Sequence, residues 1–134
     1  MISLAVIDSH ALIWAVTGQR RRLGRRALRL IERVENGDAS LYVPTIALTE
    51  IGEAMWRGSI SLEGGFAGWM EGALSTGRFH PVDLTVAIMR RAQSLFAIPE
   101  RGDRLIAATA VELDLPLITR DPAIADAAGV EVVW

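Results

Sequence analysis

Four carboxylates stand where this chain could do chemistry: Asp8 in AVID, Glu50 in ALTEI, Asp103 in GDRLIAATA and Asp121 in LITRD. They are far apart in sequence. Gathered at one place, they would repel one another, and some of their pKa values would rise unless a cation were present. Hard divalent ions such as Mg²⁺ and Mn²⁺ take oxygen ligands of this kind and are commonly held by a few carboxylates plus water. An ion so held can orient a water, lower its pKa and stabilise charge on a phosphate. Each residue also has a plainer use. Asp103 can cap a helix. Asp121, before Pro122, can shape a turn or cap. Glu50 can be a solvated helix carboxylate, although it shares a helical side with Ile46 and Ala54 and can face inward. Asp8 resists that treatment, because an acid ending a buried strand is costly unless paired or bound to a cation.

Composition removes other chemistries. There is no cysteine, hence no disulfide, thiol nucleophile or cysteine-based zinc site. All 14 basic residues are arginine, which excludes Schiff-base, P-loop and phosphoreceiver lysines. A haloacid-dehalogenase-like phosphatase needs two aspartates two positions apart after the first strand, where this chain reads Asp8-Ser9-His10. His10 and His80 could form an acid–base pair, but nothing in the sequence pairs them.

The elements that must position the carboxylates follow from apolar periodicity. Short apolar runs at 3–7, 41–43, 79–82, 117–119 and 130–133 read as strands. Helical patterns cover 10–16, 23–35, 45–56, 62–74, 84–96 and 103–113, with a helical turn at 123–127. Alternation of this kind predicts an α/β fold, with a central, mainly parallel sheet flanked by helices on both faces. The 134 residues suit one domain spanning 1–134. In such sheets functional groups collect at the carboxyl ends of the strands, where Asp8 and Asp121 fall. No apolar stretch approaches the roughly 20 residues of a membrane span. The first residues lack the pattern of a secretory signal, so a cytoplasmic protein is expected.

The net charge of −2 hides an uneven distribution. Arginine fills positions 20, 21, 22, 25, 26, 29 and 33. Arg22, Arg25, Arg26, Arg29 and Arg33 share one side of a helix by 3.6 periodicity, opposite Leu23, Ala27, Leu30, Ile31 and Val34. The bland reading is a solvated face. The sharper one is contact with phosphates of a nucleic acid, since arginine suits phosphate geometry and the local potential is strong. Met55, Trp56, Trp69 and Met70 suit either the core or an interface.

The segments VIDSHALIW, ALTEI, ERGDRLIAATA, LITRDP and the ending VVW, in this order and spacing, resemble a PIN domain. More narrowly they resemble the VapC toxins of bacterial toxin–antitoxin pairs. The resemblance runs from Ser3 to Trp134. It implies that Asp8, Glu50, Asp103 and Asp121 are catalytic and hold Mg²⁺ or Mn²⁺. It sets Ser9 where relatives often carry Thr or Ser, which makes it a candidate on the substrate side. Glu100 falls at a position often acidic in DPFDR-like relatives; ERGD stands here instead, and Glu100 is at most accessory. The implied activity is endonucleolytic cleavage of RNA by metal-activated water. The implied partners are a VapB-type antitoxin and a second copy of the chain in a homodimer. The rival reading is a catalytically silent PIN-like module that binds RNA or protein, against which the retention of all four carboxylates argues.

Overall fold

Short apolar runs alternate with amphipathic segments, and the computed structural model folds them as alternating strands and helices. It describes residues 1–134, apart from the side chain of Ala128. In chain order the elements are β1 (Leu4–Ile7), α1 (Ser9–Val16), a 3₁₀ turn (Arg20–Arg22), α2 (Arg25–Glu35), β2 (Ser40–Pro44), α3 (Thr45–Trp56), α4 (Gly65–Ser75), β3 (Phe79–Val82), α5 (Val86–Gln93), α6 (Arg101–Leu113), β4 (Leu117–Ile118), α7 (Pro122–Ala128) and β5 (Val132–Val133). The expected α/β architecture holds.

The sheet order is β3-β2-β1-β4-β5, and every pairing is parallel. Successive strands run outward from β1 on one side to β3. The chain then crosses back to lay β4 on the other side. The strand order therefore reverses between β1 and β4, and a crevice opens there at the carboxyl ends of the strands. Both faces of the sheet are covered, so its strands are continuous apolar runs: Val6, Ile7, Val43, Leu117 and Ile118 are fully buried. The alanines of α6 (Ala107, Ala108 and Ala110) are also fully buried. Their small side chains let that helix lie close against β1 and α3.

The boundaries differ from expectation where local chemistry intervenes. Gly24 is extended, so α2 starts at Arg25 and the preceding arginines form a separate 3₁₀ turn. Thr85 caps α5 by accepting the Ile88 amide hydrogen, which delays that helix to Val86. Helix α6 begins at Arg101, with Glu100 at the N-cap position. Asp103 is thus in the first turn and is not the cap. No helix is long and apolar enough to cross a membrane.

Candidate functional site

Parallel pairing of β1 with β4 aligns Ile7 with Ile118, so the residues that follow, Asp8 and Thr119, emerge side by side. The Asp8 amide donates to the Ile118 carbonyl at 3.1 Å, which continues the ladder to the edge of the crevice. Asp8 also caps α1, its Oδ1 accepting from the Ala11 amide at 2.8 Å. Just beyond β4, after Thr119 and Arg120, Asp121 caps α7 in the same manner, accepting from the Ala123 amide at 3.0 Å. The Thr119 hydroxyl accepts from the Asp121 amide at 3.2 Å and faces Asp8, whose charged form it favours. Strand ends and helix caps thus fix two aspartates by backbone geometry alone.

A cavity of about 400 Å³ occupies the crevice. It is lined by Asp8, Glu100, Asp103 and Asp121, together with His10, Trp14 and Arg120. Glu50 reaches the same group of charges from α3. Its Oε1 accepts from the Ser9 hydroxyl at 3.1 Å. It also approaches Gly102 so closely that a Cβ there would lie 2.8 Å from Oε1.

The electrostatics follow from burial first and from this crowding second. Burial raises the Asp8 carboxyl above its ordinary range, against the opposing pull of Thr119, the Ala11 amide and His10. Burial also raises Glu50, opposed by the Ser9 hydrogen bond. Asp103 is pushed up to about 6 by burial first, then by Glu100, Asp8, Glu50 and Asp121. Clustered carboxylates hold on to protons in this way when no cation offsets them. Among the described residues, no group of three or more His, Asp or Glu side chains is arranged to hold a metal ion as it stands. The donor chemistry nevertheless suits a hard divalent ion, since the donors are carboxylate oxygens at a common, mutually repelling centre.

The structure places Asp8, Glu50, Asp103 and Asp121 at one end of the sheet. Glu100 joins them: it lines the cavity and is the first charge after burial to raise Asp103. Ser9 is buried, and its hydroxyl is given to Glu50; its immediate work is to hold that carboxylate. Thr119 and Arg120 went unremarked in the sequence. Their position between the strand end and Asp121 is the available signal. His80 lies on β3 with its ring against Tyr42, at 4.9 Å between centroids. His10 rests against Trp14 at 5.9 Å. The two histidines have separate neighbours, and His80 does not line the cavity.

The arginine face is divided by the direction of α2, which begins beside Trp134 and ends beside Ile2. Arg22 lies on the 3₁₀ turn near Trp14. Arg26 donates to Glu131 at 3.2 Å and to the Val132 carbonyl. Arg33, at the far end, donates to the Ile2 and Asp38 carbonyls. Arg25 and Arg29 are exposed along the helix between them. Met55, Trp56, Trp69 and Met70 also divide. Trp69 packs edge-on to Phe79, whereas Met55, Trp56 and Met70 line a groove between α3 and α4 with Phe66.

Comparisons with known proteins agree with this geometry. No curated protein sequence matches the chain. Among solved structures, it is similar to VapBC2 from Rickettsia felis bound to a promoter DNA fragment, with 12% identity, 96% of each chain covered and a TM-score of 0.68. It is also similar to DNA-bound VapBC from Salmonella typhimurium, at 14% identity, covering 98% of this chain and 97% of that one, with a TM-score of 0.67. A toxin-antitoxin complex from Klebsiella pneumoniae gives 21% identity, 97% and 96% coverage and a TM-score of 0.63. At such identities the likeness is one of fold. The PIN domain family matches residues 5–130, nearly the whole chain, with the acidic crevice inside the match. The chain belongs to the PIN domain family.

Proposed function

We propose that this protein is a divalent-metal-dependent endoribonuclease and the toxin of a toxin–antitoxin pair. The observation that carries the reading is the gathering of carboxylates about one crevice, where burial first and the neighbouring charges second push Asp103 up to about 6. Asp8, Asp103 and Asp121, with Glu50 and Glu100 beside them, would hold Mg²⁺ or Mn²⁺. When bound, such an ion supplies the positive charge that activates water and stabilises charge on a phosphate.

The chain's own residues prepare that site. The Ala11 amide and Thr119 hold Asp8 in place and favour its charged form. Ser9 fixes one oxygen of Glu50 and leaves the other free. The Ala123 amide orients Asp121. Protons retained by the crowded carboxylates must leave when a cation binds, so metal affinity should rise with pH.

RNA as substrate and an antitoxin as partner are supported by family membership and by the toxin–antitoxin complexes among the structural neighbours. The groove of Met55, Trp56, Phe66 and Met70 is the surface we assign to a homodimer, and a cytoplasmic location accords with that biology.

The test is cleavage of a labelled RNA. Activity should vanish in chelator and return with Mg²⁺ or Mn²⁺. Asp8→Asn should nearly abolish it with the fold retained, because asparagine also caps a helix. Expression of the chain alone should slow bacterial growth, and co-expression of the cognate antitoxin should restore it. Full cleavage in excess chelator would refute the metal mechanism. RNA binding without cleavage under any divalent ion would establish the catalytically silent module instead.

A further inference from the structure

We propose that Arg120 and Arg22, each packed on the ring of Trp14, form a cationic clamp that grips a phosphate of the substrate strand next to the one being cut. The inference rests on the ribonuclease reading and adds residues which that reading does not require.

Arg120 lies between Thr119 and Asp121 and lines the acidic cavity. A guanidinium so placed has several carboxylates in its neighbourhood, yet it forms no ion pair. Among the described residues, the ion pairs are Arg20–Glu35, Arg26–Glu131 and Arg91–Glu112. Arg120 instead packs on an indole, its Cζ 5.0 Å from the Trp14 ring centroid. Arg22 reaches the same ring from the 3₁₀ turn, its Cζ at 4.6 Å, and donates to Gln19 at 3.2 Å. Trp14 is buried beneath this cover, only 6% exposed, while both arginines remain exposed.

Two guanidinium groups on one ring repel each other. The ring quadrupole offsets part of that cost, and an anion between or beside them would offset the rest. Guanidinium forks match phosphate oxygens in geometry and charge. The indole also restricts the arginines before any ligand arrives, which lowers the ordering cost of binding. The position is the informative part. A cation at the rim of an anionic crevice cannot help to hold a metal ion, but it can hold the polyanion whose neighbouring phosphate must enter the crevice. The remaining helix arginines fit this task less well. Arg26 and Arg33 are engaged with Glu131 and with backbone carbonyls, and α2 leads away from the cavity.

The experiment uses the full chain with Mg²⁺ and a short fluorescein-labelled single-stranded RNA of mixed sequence. KM and kcat are measured across a salt series, together with anisotropy on an Asp8→Asn background that silences cleavage. Arg120→Ala and Arg22→Ala should each weaken binding about tenfold, the yield of one charge-assisted hydrogen bond. The loss should fall on KM. Each should also make the log–log salt dependence shallower by about 0.7, one phosphate contact on a single strand. Arg120→Lys should recover the salt slope but not the full affinity, because lysine keeps the charge and loses the planar fork. Arg57→Ala, an exposed arginine that does not line the cavity, controls for net charge. Unchanged KM, affinity and salt slope in Arg120→Ala, on protein that still cleaves, would overturn the clamp and leave the nuclease reading standing. Wild-type protein that neither binds nor cleaves the RNA would overturn both.

Discussion

Glu50 Oε1 lies 2.8 Å from the point where a Cβ on residue 102 would project, so the bare backbone of Gly102 is what lets α3 deliver its carboxylate beside α6. The nearest obstacle to a larger residue there is the far end of a flexible side chain, not backbone. A substitution should therefore move Glu50 and spare the fold. Gly102→Ala should keep or raise thermal stability, since alanine gains up to about 1 kcal/mol over glycine inside a helix. Metal-dependent cleavage should nevertheless fall by about tenfold or more, the usual effect of disturbing a group that orients a metal site. Thermal melts and RNA cleavage on the same preparation check both halves. Wild-type activity in the variant would show that Glu50 is not needed where it stands.

The raised carboxylates set an unusual pH dependence of stability. Asp103 moves from its ordinary 3.8 to about 6 in the folded chain, and Asp8 and Glu50 move in the same direction. A group whose pKa is higher when folded binds its proton more tightly in that state. Its stabilising contribution is present at low pH and is lost as pH rises through the folded pKa. In chelator, the melting temperature of wild-type protein should therefore fall more steeply than that of Asp103→Asn as pH is raised from 3.8 past 6. Adding Mg²⁺ should remove much of the difference in slope, because the ion neutralises the same charges. Parallel melting curves for the two proteins in chelator would show that Asp103 titrates as an ordinary carboxyl.

Arg33 should prove structural. It donates to the carbonyls of Ile2 and Asp38 and so ties α2 to the segment before β1 and to the loop before β2. Arg33→Ala leaves both acceptors without this partner and should cost about 1–3 kcal/mol in denaturant unfolding. Arg33→Lys should recover only part of that, having a single ammonium in place of a two-pronged donor. A loss within error of zero would mean that solvent satisfies both carbonyls.

Gly24 faces a harder obstacle than Gly102 does. A Cβ there would lie 2.4 Å from the backbone carbon of Trp134 and 2.6 Å from its ring. Backbone cannot swing aside as a glutamate can. Gly24→Ala should force Trp134 away from α2 and break the contact of the Arg26 amide with the Trp134 carbonyl. A cost of about 1–3 kcal/mol is expected, as for other overpacked sites. Trp134 packs edge-on to Trp14 at 6.1 Å, so the intrinsic fluorescence should shift as well. An unchanged spectrum and stability would refute this account of the glycine.

Asp8 and Asp121 were legible in the sequence because a buried apolar run ending in an acid marks the carboxyl edge of a parallel sheet, and both readings depend on a few adjacent residues. Glu50 was legible through its shared helical side with Ile46 and Ala54. The apolar pattern starts the helix at Asp103, whereas α6 begins two residues before it and leaves Glu100 at the cap. Apolar pattern says little about the first turn of a helix, where the backbone donors are free and almost any chain can enter. Other features depended on tertiary structure alone. Sequence periodicity puts Arg22, Arg25, Arg26, Arg29 and Arg33 on one side of a helix, but not at one end of the sheet. At 1.5 Å per residue, the 11 residues of α2 extend about 16 Å. Only the tertiary placement of that helix, which sets Arg26 beside Trp134, decided that Arg33 would end beside Ile2. The association of Arg22 with Arg120 on Trp14 joins α1 and its neighbouring 3₁₀ turn to the segment after β4, and the approach of Glu50 to Gly102 joins α3 to α6. Local sequence sets which face and which edge a residue occupies, whereas contacts between distant segments arise only when sheet order and helix direction bring those segments together.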